Sequence, residues 1–289
     1  MLVLGGNNSA DLAKSVARKC KAKFARITTR TFPDGETYIR LPNVVNRHVV
    51  IINSMHPLPN DSLIELFLAW HTAKELGARK ITLIVPYMAY LRQDKRFHPG
   101  EALSNHLIAG LLSADAFITI DPHLHRIHAM KEVFKKRAKH LTSNALLAEF
   151  IKKNIPESII MGPDGESYQW AADIAKKIRY PVVMLKKKRF SSRNVRILVK
   201  SKVPLKNKVV VIVDDIISSG HTMFEPIKQL KQLGVKRIYC VCVHGIFAEN
   251  ALKRLKNLGA IVISTNTISN AVAKIDVSSL IARCLCYSR

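Results

Sequence analysis

The stretch VVVIVDDIISSGHT, residues 209–222, decides how this chain is read. Val209–Val213 is an uninterrupted apolar run of β-branched residues, the pattern of a strand buried on both faces. It ends in two carboxylates, Asp214 and Asp215. A loop of small residues follows, Ser218-Ser219-Gly220, then His221, and Thr222 opens a helix. In an open α/β sheet, ligands bind beyond the carboxyl ends of the strands. A small-residue loop entering a helix presents backbone N–H groups to a phosphate, and Ser and Thr hydroxyls add donors. Carboxylates beside such a loop would repel a bare phosphate. They make sense when they hold sugar hydroxyls or a cation that neutralises phosphate charge. The combination reads as a site for a phosphorylated sugar.

The same alternation extends outward. Strands are expected at Met1–Leu4, Val49–Ile52, Ile81–Val85, Ala116–Ile120, Ser158–Met161, Val182–Leu185, Arg237–Val243 and Ile261–Ser264. Between them, helical periodicity covers Asn8–Lys19, Asp61–Leu76, Glu101–Leu112, Ser143–Lys153, Ser167–Ile178, Thr222–Leu233 and Ala248–Leu258. Strands alternating with helices of this length imply an α/β chain with parallel sheets. So many strands fit two smaller domains better than one open sheet. The boundary is expected in the basic stretch Lys131–His140, giving domains 1–141 and 142–289. No internal repeat is visible by eye.

Composition bounds the function classes. With 289 residues and 48% hydrophobic content, the chain builds real cores, which excludes global disorder. It has no apolar run of about 18 residues, so no spanning helix is expected. The start, MLVLGGNNSADLAKS, reads as a buried strand and turn rather than a signal peptide, and a cytoplasmic location follows as an expectation. Forty-six Lys and Arg against 21 Asp and Glu give a formal charge of +25. That surplus points to anionic partners without choosing among them. A specific nucleic-acid binder is not expected, because aromatics make up only 7% and no helix-turn-helix or zinc pattern appears. The five cysteines are odd in number and lack a CxxC pair, which argues against a disulfide framework or zinc site. Cys240 and Cys242 read as small buried hydrophobes.

Five further segments carry chemistry. Phe32-Pro33-Asp34-Gly35-Glu36 is a tight turn between apolar strands that projects an aromatic and two acids, a set suited to an adenine ring and its amino group. PYMAYLRQDKRF (86–97) places Arg92, Gln93, Asp94 and Arg96 beyond a strand, where arginines hold polyphosphate bidentately. Asp121-Pro122-His123 stands at a strand end, a position suited to a metal-phosphate site. In MGPDGES (161–167), Asp164 is either a helix N-cap or a site residue, and Gly165 permits a tight approach. From Lys186 to Lys208 there are ten Lys or Arg and no acid. His125 and His128 read as surface residues, and Lys135, Lys136, Lys228 and Lys231 as solvated helix faces.

The loop at 214–222 resembles the signature of the type I phosphoribosyltransferase fold. With the other segments, in the same order and at similar spacing, the chain resembles the ribose-phosphate pyrophosphokinases, most of all their archaeal-type branch. The likeness spans nearly the whole chain. It implies an α/β fold of two similar phosphoribosyltransferase-like domains, each a mainly parallel sheet flanked by helices. It implies an oligomer that transfers a diphosphoryl group from Mg²⁺–ATP to ribose 5-phosphate. Carried onto this sequence, Phe32, Asp34, Gly35, Glu36, Arg92, Gln93 and Asp94 serve ATP. The Phe32–Glu36 turn would do so for a neighbouring subunit. Asp214 and Asp215 take the ribose hydroxyls, and Ser218, Ser219, Gly220, His221 and Thr222 the 5-phosphate. His123, Asp121 and Asp164 lie near Mg²⁺. Lys187 and Arg189 reach the transferred phosphates from a mobile loop, and three consecutive lysines leave that register open by one. His221 replaces a common Gly, and His125–Met130 departs from the family's usual aromatic continuation. A phosphoribosyltransferase and an inactive regulatory paralogue are the competing readings; the first would not need the RQD, DPH and FPDGE segments together.

Overall fold

A computed structural model describes residues 1–96, 98–124, 130–134, 137–189, 195–200 and 203–287. The chain divides into two compact units, one of Met1–Thr142 with Thr267–Ser269 and Val277–Arg289, the other of Ser143–Asn266 with Asn270–Asp276.

In the first unit the order is β1 (Leu2–Gly5), α1 (Ala10–Lys19), β2 (Lys23–Arg26), β3 (Thr28–Thr31), β4 (Thr37–Arg40), β5 (His48–Ile52), α2 (Pro59–Glu75), β6 (Lys80–Val85), α3 (Ser104–Leu111), β7 (Ala116–Ile120) and β8 (Arg137–Leu141). Six strands form one parallel sheet in the order β2-β1-β5-β6-β7-β8. The central strands are apolar and wholly buried, as in VVII of β5 and ITLIV of β6. β8 was not expected. Its sequence, RAKHL, is basic and half exposed, and lysine and arginine on an edge strand discourage pairing with another chain. The stretch read as a boundary is therefore partly the sheet's edge.

The second unit holds α4 (Asn144–Asn154), β9 (Ser158–Gly162), α5 (Gly165–Ile178), β10 (Val182–Arg189), β11 (Val195–Lys200), β12 (Val209–Ile217), α6 (His221–Gln232), β13 (Arg237–Gly245), α7 (Ala251–Asn257), β14 (Ala260–Thr265) and β15 (Ala273–Ile275). Its sheet runs β11-β10-β9-β12-β13-β14-β15. Leaving out β11, the strand order repeats that of the first unit: β10, β9, β12, β13, β14 and β15 stand where β2, β1, β5, β6, β7 and β8 do. Each unit has its own apolar core.

All nine strands and seven helices expected from the sequence occur, with shifted ends. The helix expected over Ala248–Leu258 begins as a 3-10 turn, and Phe247, Glu249 and Asn250 adopt positive φ before α7 starts. The chain ends in α8 (Ser278–Tyr287), which packs on α1 and belongs to the first unit, whereas the sequence-based division groups this segment with the second half.

Cysteine use differs from expectation. Cys20, at the end of α1, and Cys286, on α8, form a disulfide with Cα atoms 6.2 Å apart and 266 residues between them. No spacing rule reveals a pair so distant in sequence. Cys240 and Cys242 are buried as expected. Burial pushes the Cys240 thiol up to about 12 and also raises that of Cys242, with the Asp214 charge adding to both. A long disulfide-closed loop restricts the unfolded chain and stabilises by about 2–4 kcal/mol. Three of the five cysteines should therefore titrate in the denatured, unreduced protein and all five after dithiothreitol. Reduction should lower the unfolding midpoint of the wild type but not of Cys20→Ser. Equal midpoints for the reduced and unreduced wild type would contradict a stabilising bond.

Candidate active site

The second unit's crevice arises from how its strands part. β12 pairs with β9 only from Val209↔Ser158 to Ile212↔Met161. On its other side it stays paired with β13 as far as Ile217↔Gly245. Asp214 and Asp215 thus lie inside a nine-residue strand, not after a five-residue one, because the equally long β13 carries β12 onward. β9 leads through α5 to β10 on one side, while β12 lies on the other. This is the point where the strand order reverses, at which ligands bind in such sheets.

At Gly162 a Cβ would lie 2.9 Å from the backbone of Ser167 and Tyr168. Only glycine lets the first turn of α5 press so closely on β9. The close approach is here and not at Gly165, which has open space around it. Asp164 follows, and its Oδ1 accepts the Ser167 N–H at 2.9 Å, the N-cap bond of α5. The Ser167 hydroxyl lies 2.9 Å from Asp164 Oδ1 and 2.9 Å from Asp214 Oδ1. Asp214 Oδ1 also accepts the Asp215 N–H at 3.1 Å, and Asp215 Oδ1 accepts the Ile216 N–H at 2.8 Å. Asp214 is buried and Asp215 half-buried. Burial first, then the Asp215 charge, push the Asp214 carboxyl well above its ordinary range; the Ser167 hydrogen bond opposes this, and the Asp164 charge adds to it. An acid cluster held this way is well placed to meet a cation or sugar hydroxyls.

The small-residue loop caps α6. Gly220 is the N-cap at φ +77°, and its carbonyl accepts the N–H groups of Met223 at 2.9 Å and Phe224 at 3.2 Å. A Cβ there would meet Phe224 at 3.0 Å, so both conformation and space demand glycine. His221 begins the helix, with Nδ1 2.8 Å from the Ser219 hydroxyl and its ring edge-on to Phe224. Ser218 and Ser219 are half-buried, and His221 and Thr222 exposed. Hydroxyls and helix N–H groups at one accessible turn make a receptor for a phosphate.

In the first unit the corresponding reversal point, between β1 and β5, is filled by the chain itself. Asn53 Oδ1 accepts the Asn8 N–H at 3.0 Å, and Asn53 Nδ2 donates to Glu65 at 3.0 Å. Glu65 also accepts from Asn7 at 3.2 Å, and burial raises its carboxyl. This unit's candidate residues lie elsewhere. The Phe32–Glu36 turn closes through Gly35 N–H to Phe32 C=O at 2.9 Å and Phe32 N–H to Glu36 C=O at 2.8 Å. Phe32, Asp34, Gly35 and Glu36 are all exposed. The flanking β3 and β4 are polar, not apolar, and pair only with each other. Beyond β6, buried Tyr87, Met88 and Leu91 anchor the loop. Arg92 stays exposed, Gln93 and Asp94 are half-buried, and Arg96 Nε donates to the Glu101 carbonyl at 2.9 Å. Asp121 turns directly after β7 at φ +35°, its N–H bonded to the Leu141 carbonyl at 2.9 Å. A non-glycine residue there is held against its own preference, which fixes the half-buried His123 two residues on.

Among the described residues no three His, Cys, Asp or Glu side chains gather as a metal cage. Lys187 and Arg189 fall on β10, paired with Ile197 and Val195 of β11. The basic run thus continues the strand into an antiparallel pair instead of opening a loop at Lys186. The side chains of Lys187 and Arg189 lie outside the described residues, as do His125, His128, Lys135 and Lys136. Lys228 and Lys231 are exposed on α6, as expected. Sequence reasoning missed Ser167; an Asp with Ser three positions on signals a helix start but not a bridge to a second strand.

Residues 1–115 match the family model of the N-terminal domain of ribose phosphate pyrophosphokinase, and residues 128–281 that of the phosphoribosyl transferase domain. The chain is 34% identical to the ribose-phosphate pyrophosphokinase of Saccharolobus solfataricus over 98% of its length and 99% of that protein's. It is also 34% identical to ribose-phosphate pyrophosphokinase 1 of Archaeoglobus fulgidus, over 99% of this chain and 100% of that one. The crystal structure of phosphoribosylpyrophosphate synthetase from Mycobacterium smegmatis superposes with a TM-score of 0.85 at 26% identity, covering 100% of this chain and 99% of that one. No helix among the described residues is long and apolar enough to cross a membrane. Matched along nearly its whole length by these models and relatives, the chain belongs to the ribose-phosphate pyrophosphokinase family.

Proposed function

We propose that this protein is a ribose-phosphate diphosphokinase, which transfers the β,γ-diphosphoryl group of ATP to the 1-hydroxyl of ribose 5-phosphate and releases AMP. The observation that carries the reading is the crevice where β9 and β12 part, with Asp164, Asp214 and Asp215 beside the loop that caps α6. Ser218, Ser219, Gly220, His221 and Thr222 bind the 5-phosphate. Asp214 and Asp215 bind the ribose hydroxyls and orient the ring. Arg92, Gln93 and Asp94 position the ATP phosphates, and Phe32, Asp34, Gly35 and Glu36 receive the adenine of a neighbouring copy in a homo-oligomer. The anomeric hydroxyl attacks the β-phosphorus and AMP leaves. Chemistry of this kind rests mainly on positioning and charge neutralisation, which Lys187 and Arg189 supply at the transferred group. Asp121 and His123 would bind Mg²⁺ carried by the ATP phosphates, and Asp164 would bind a metal ion or the ribose ring; an ion so bound would supply charge neutralisation at the polyphosphate. Because both substrates are charged and do not cross membranes unaided, the reading carries a cytoplasmic location with it.

The test measures AMP release from ATP and Mg²⁺ with and without ribose 5-phosphate. AMP should appear only with the sugar phosphate and stop on chelation by EDTA. Equal AMP in both reactions would refute the reading.

A further inference from the structure

The crevice contains one side chain that none of the binding roles above uses. Ser167 stands in the first turn of α5, and its hydroxyl lies 2.9 Å from Asp164 Oδ1 and 2.9 Å from Asp214 Oδ1. The two acids belong to different strands, Asp164 beyond the end of β9 and Asp214 within β12, after the ladder between those strands has ended at Ile212↔Met161. Where the backbone pairing stops, this hydroxyl ties the two walls together. Gly162 makes the tie possible, since any Cβ there would collide with the Ser167 backbone. A hydroxyl has one proton, so the bond is shared or alternates between the acids. In either case both Oδ1 atoms are kept within two hydrogen-bond lengths of each other.

We propose that Ser167 is a positioning residue that sets the separation and rotamers of Asp164 and Asp214, and thereby the affinity of the crevice for ribose 5-phosphate. The inference rests on the assignment of Asp214 to the ribose hydroxyls. Asp214 Oδ1 is occupied by Ser167 and by the Asp215 N–H, which turns Oδ2 to a defined direction. Without the hydroxyl, Asp214 keeps its contacts with Asp215, including the 3.1 Å bond from that residue's N–H, but loses its tie to Asp164 and gains rotamer freedom, and two carboxylates lose the donor between them. The effect is selective by construction. Ser167→Ala keeps the backbone N–H that bonds to Asp164 at 2.9 Å, so the cap of α5 survives and only the bridge is lost.

Ser167→Ala and Ser167→Thr are compared with the wild type by calorimetric titration with ribose 5-phosphate, steady-state kinetics and thermal unfolding. Partners that orient a ligand-binding group without touching the ligand are worth about ten-fold or more in affinity, as at metal sites. Ser167→Ala should weaken ribose 5-phosphate binding by about ten-fold and raise its KM by a similar factor. The KM for ATP should stay within about two-fold, and Ser167→Thr, which keeps the hydroxyl, should recover most of the loss. Unchanged sugar-phosphate binding in Ser167→Ala would overturn the proposal. So would equal loss of both substrates together with a lowered unfolding midpoint, the mark of a merely structural role. If the wild type binds ribose 5-phosphate but releases no AMP, the diphosphokinase reading fails while the binding comparison still decides the role of Ser167.

Discussion

Asp214→Asn should lose activity by about a hundred-fold or more and at the same time become more stable at neutral pH. The acid is buried beside Asp215 and Asp164, and its carboxyl is held well above the ordinary range. The folded protein therefore binds that proton more tightly than the unfolded chain. Between the unfolded carboxylate value, about 4, and the raised folded value, the folded state carries more protons, so stability falls as pH rises. Above that window the full cost of an ionised, buried carboxylate remains. Asparagine has a similar shape, its Oδ1 still accepts from Ser167, and it carries no charge. Urea unfolding of wild type and variant from pH 4 to 8 checks the sign. The variant should lead at pH 7 by on the order of 1 kcal/mol, and the lead should shrink toward pH 4. Activity falls because a neutral amide does not polarise sugar hydroxyls as a carboxylate does. A variant less stable than wild type at pH 7 would show that the charge is compensated in the folded protein.

The second large effect is expected at Lys187. Lys187→Ala should reduce turnover by about two to four orders of magnitude and leave ribose 5-phosphate binding close to wild type. An interaction made only with charge developing on the transferred group lowers kcat without changing ground-state affinity. Three consecutive lysines leave the register open by one, and Lys186, Lys187 and Lys188 all lie on β10, paired with Leu198, Ile197 and Arg196 of β11. Single-turnover rates for Lys186→Ala, Lys187→Ala and Lys188→Ala separate the possibilities. Near-normal turnover in Lys187→Ala with loss in either neighbour would move the assignment by one.

Much of the fold was legible because its signals are local. Buried parallel strands such as Val209–Val213 and Val49–Ile52 are continuous runs of β-branched residues, and Gly220 ends a loop where only a positive φ fits. The acids and small residues of 214–222 are contiguous, so their chemistry could be read before any coordinate. The edge strand β8 lacked the apolar signal because it is half exposed and tolerates lysine and arginine.

What the sequence by itself determined was the alternation of strand and helix, the phosphate-and-sugar character of the 214–222 loop, and the order of segments that marks the family. What only the tertiary structure decided was who stands beside whom. The shared strand order of the two units was invisible as a repeat, because topology persists while side chains differ. The bond from Cys20 to Cys286 and the bridge from Asp164 through Ser167 to Asp214 join residues far apart in the chain. Local pattern encodes which face of an element is apolar. It does not encode where β12 leaves β9, and that parting is what turns three scattered polar residues into one crevice.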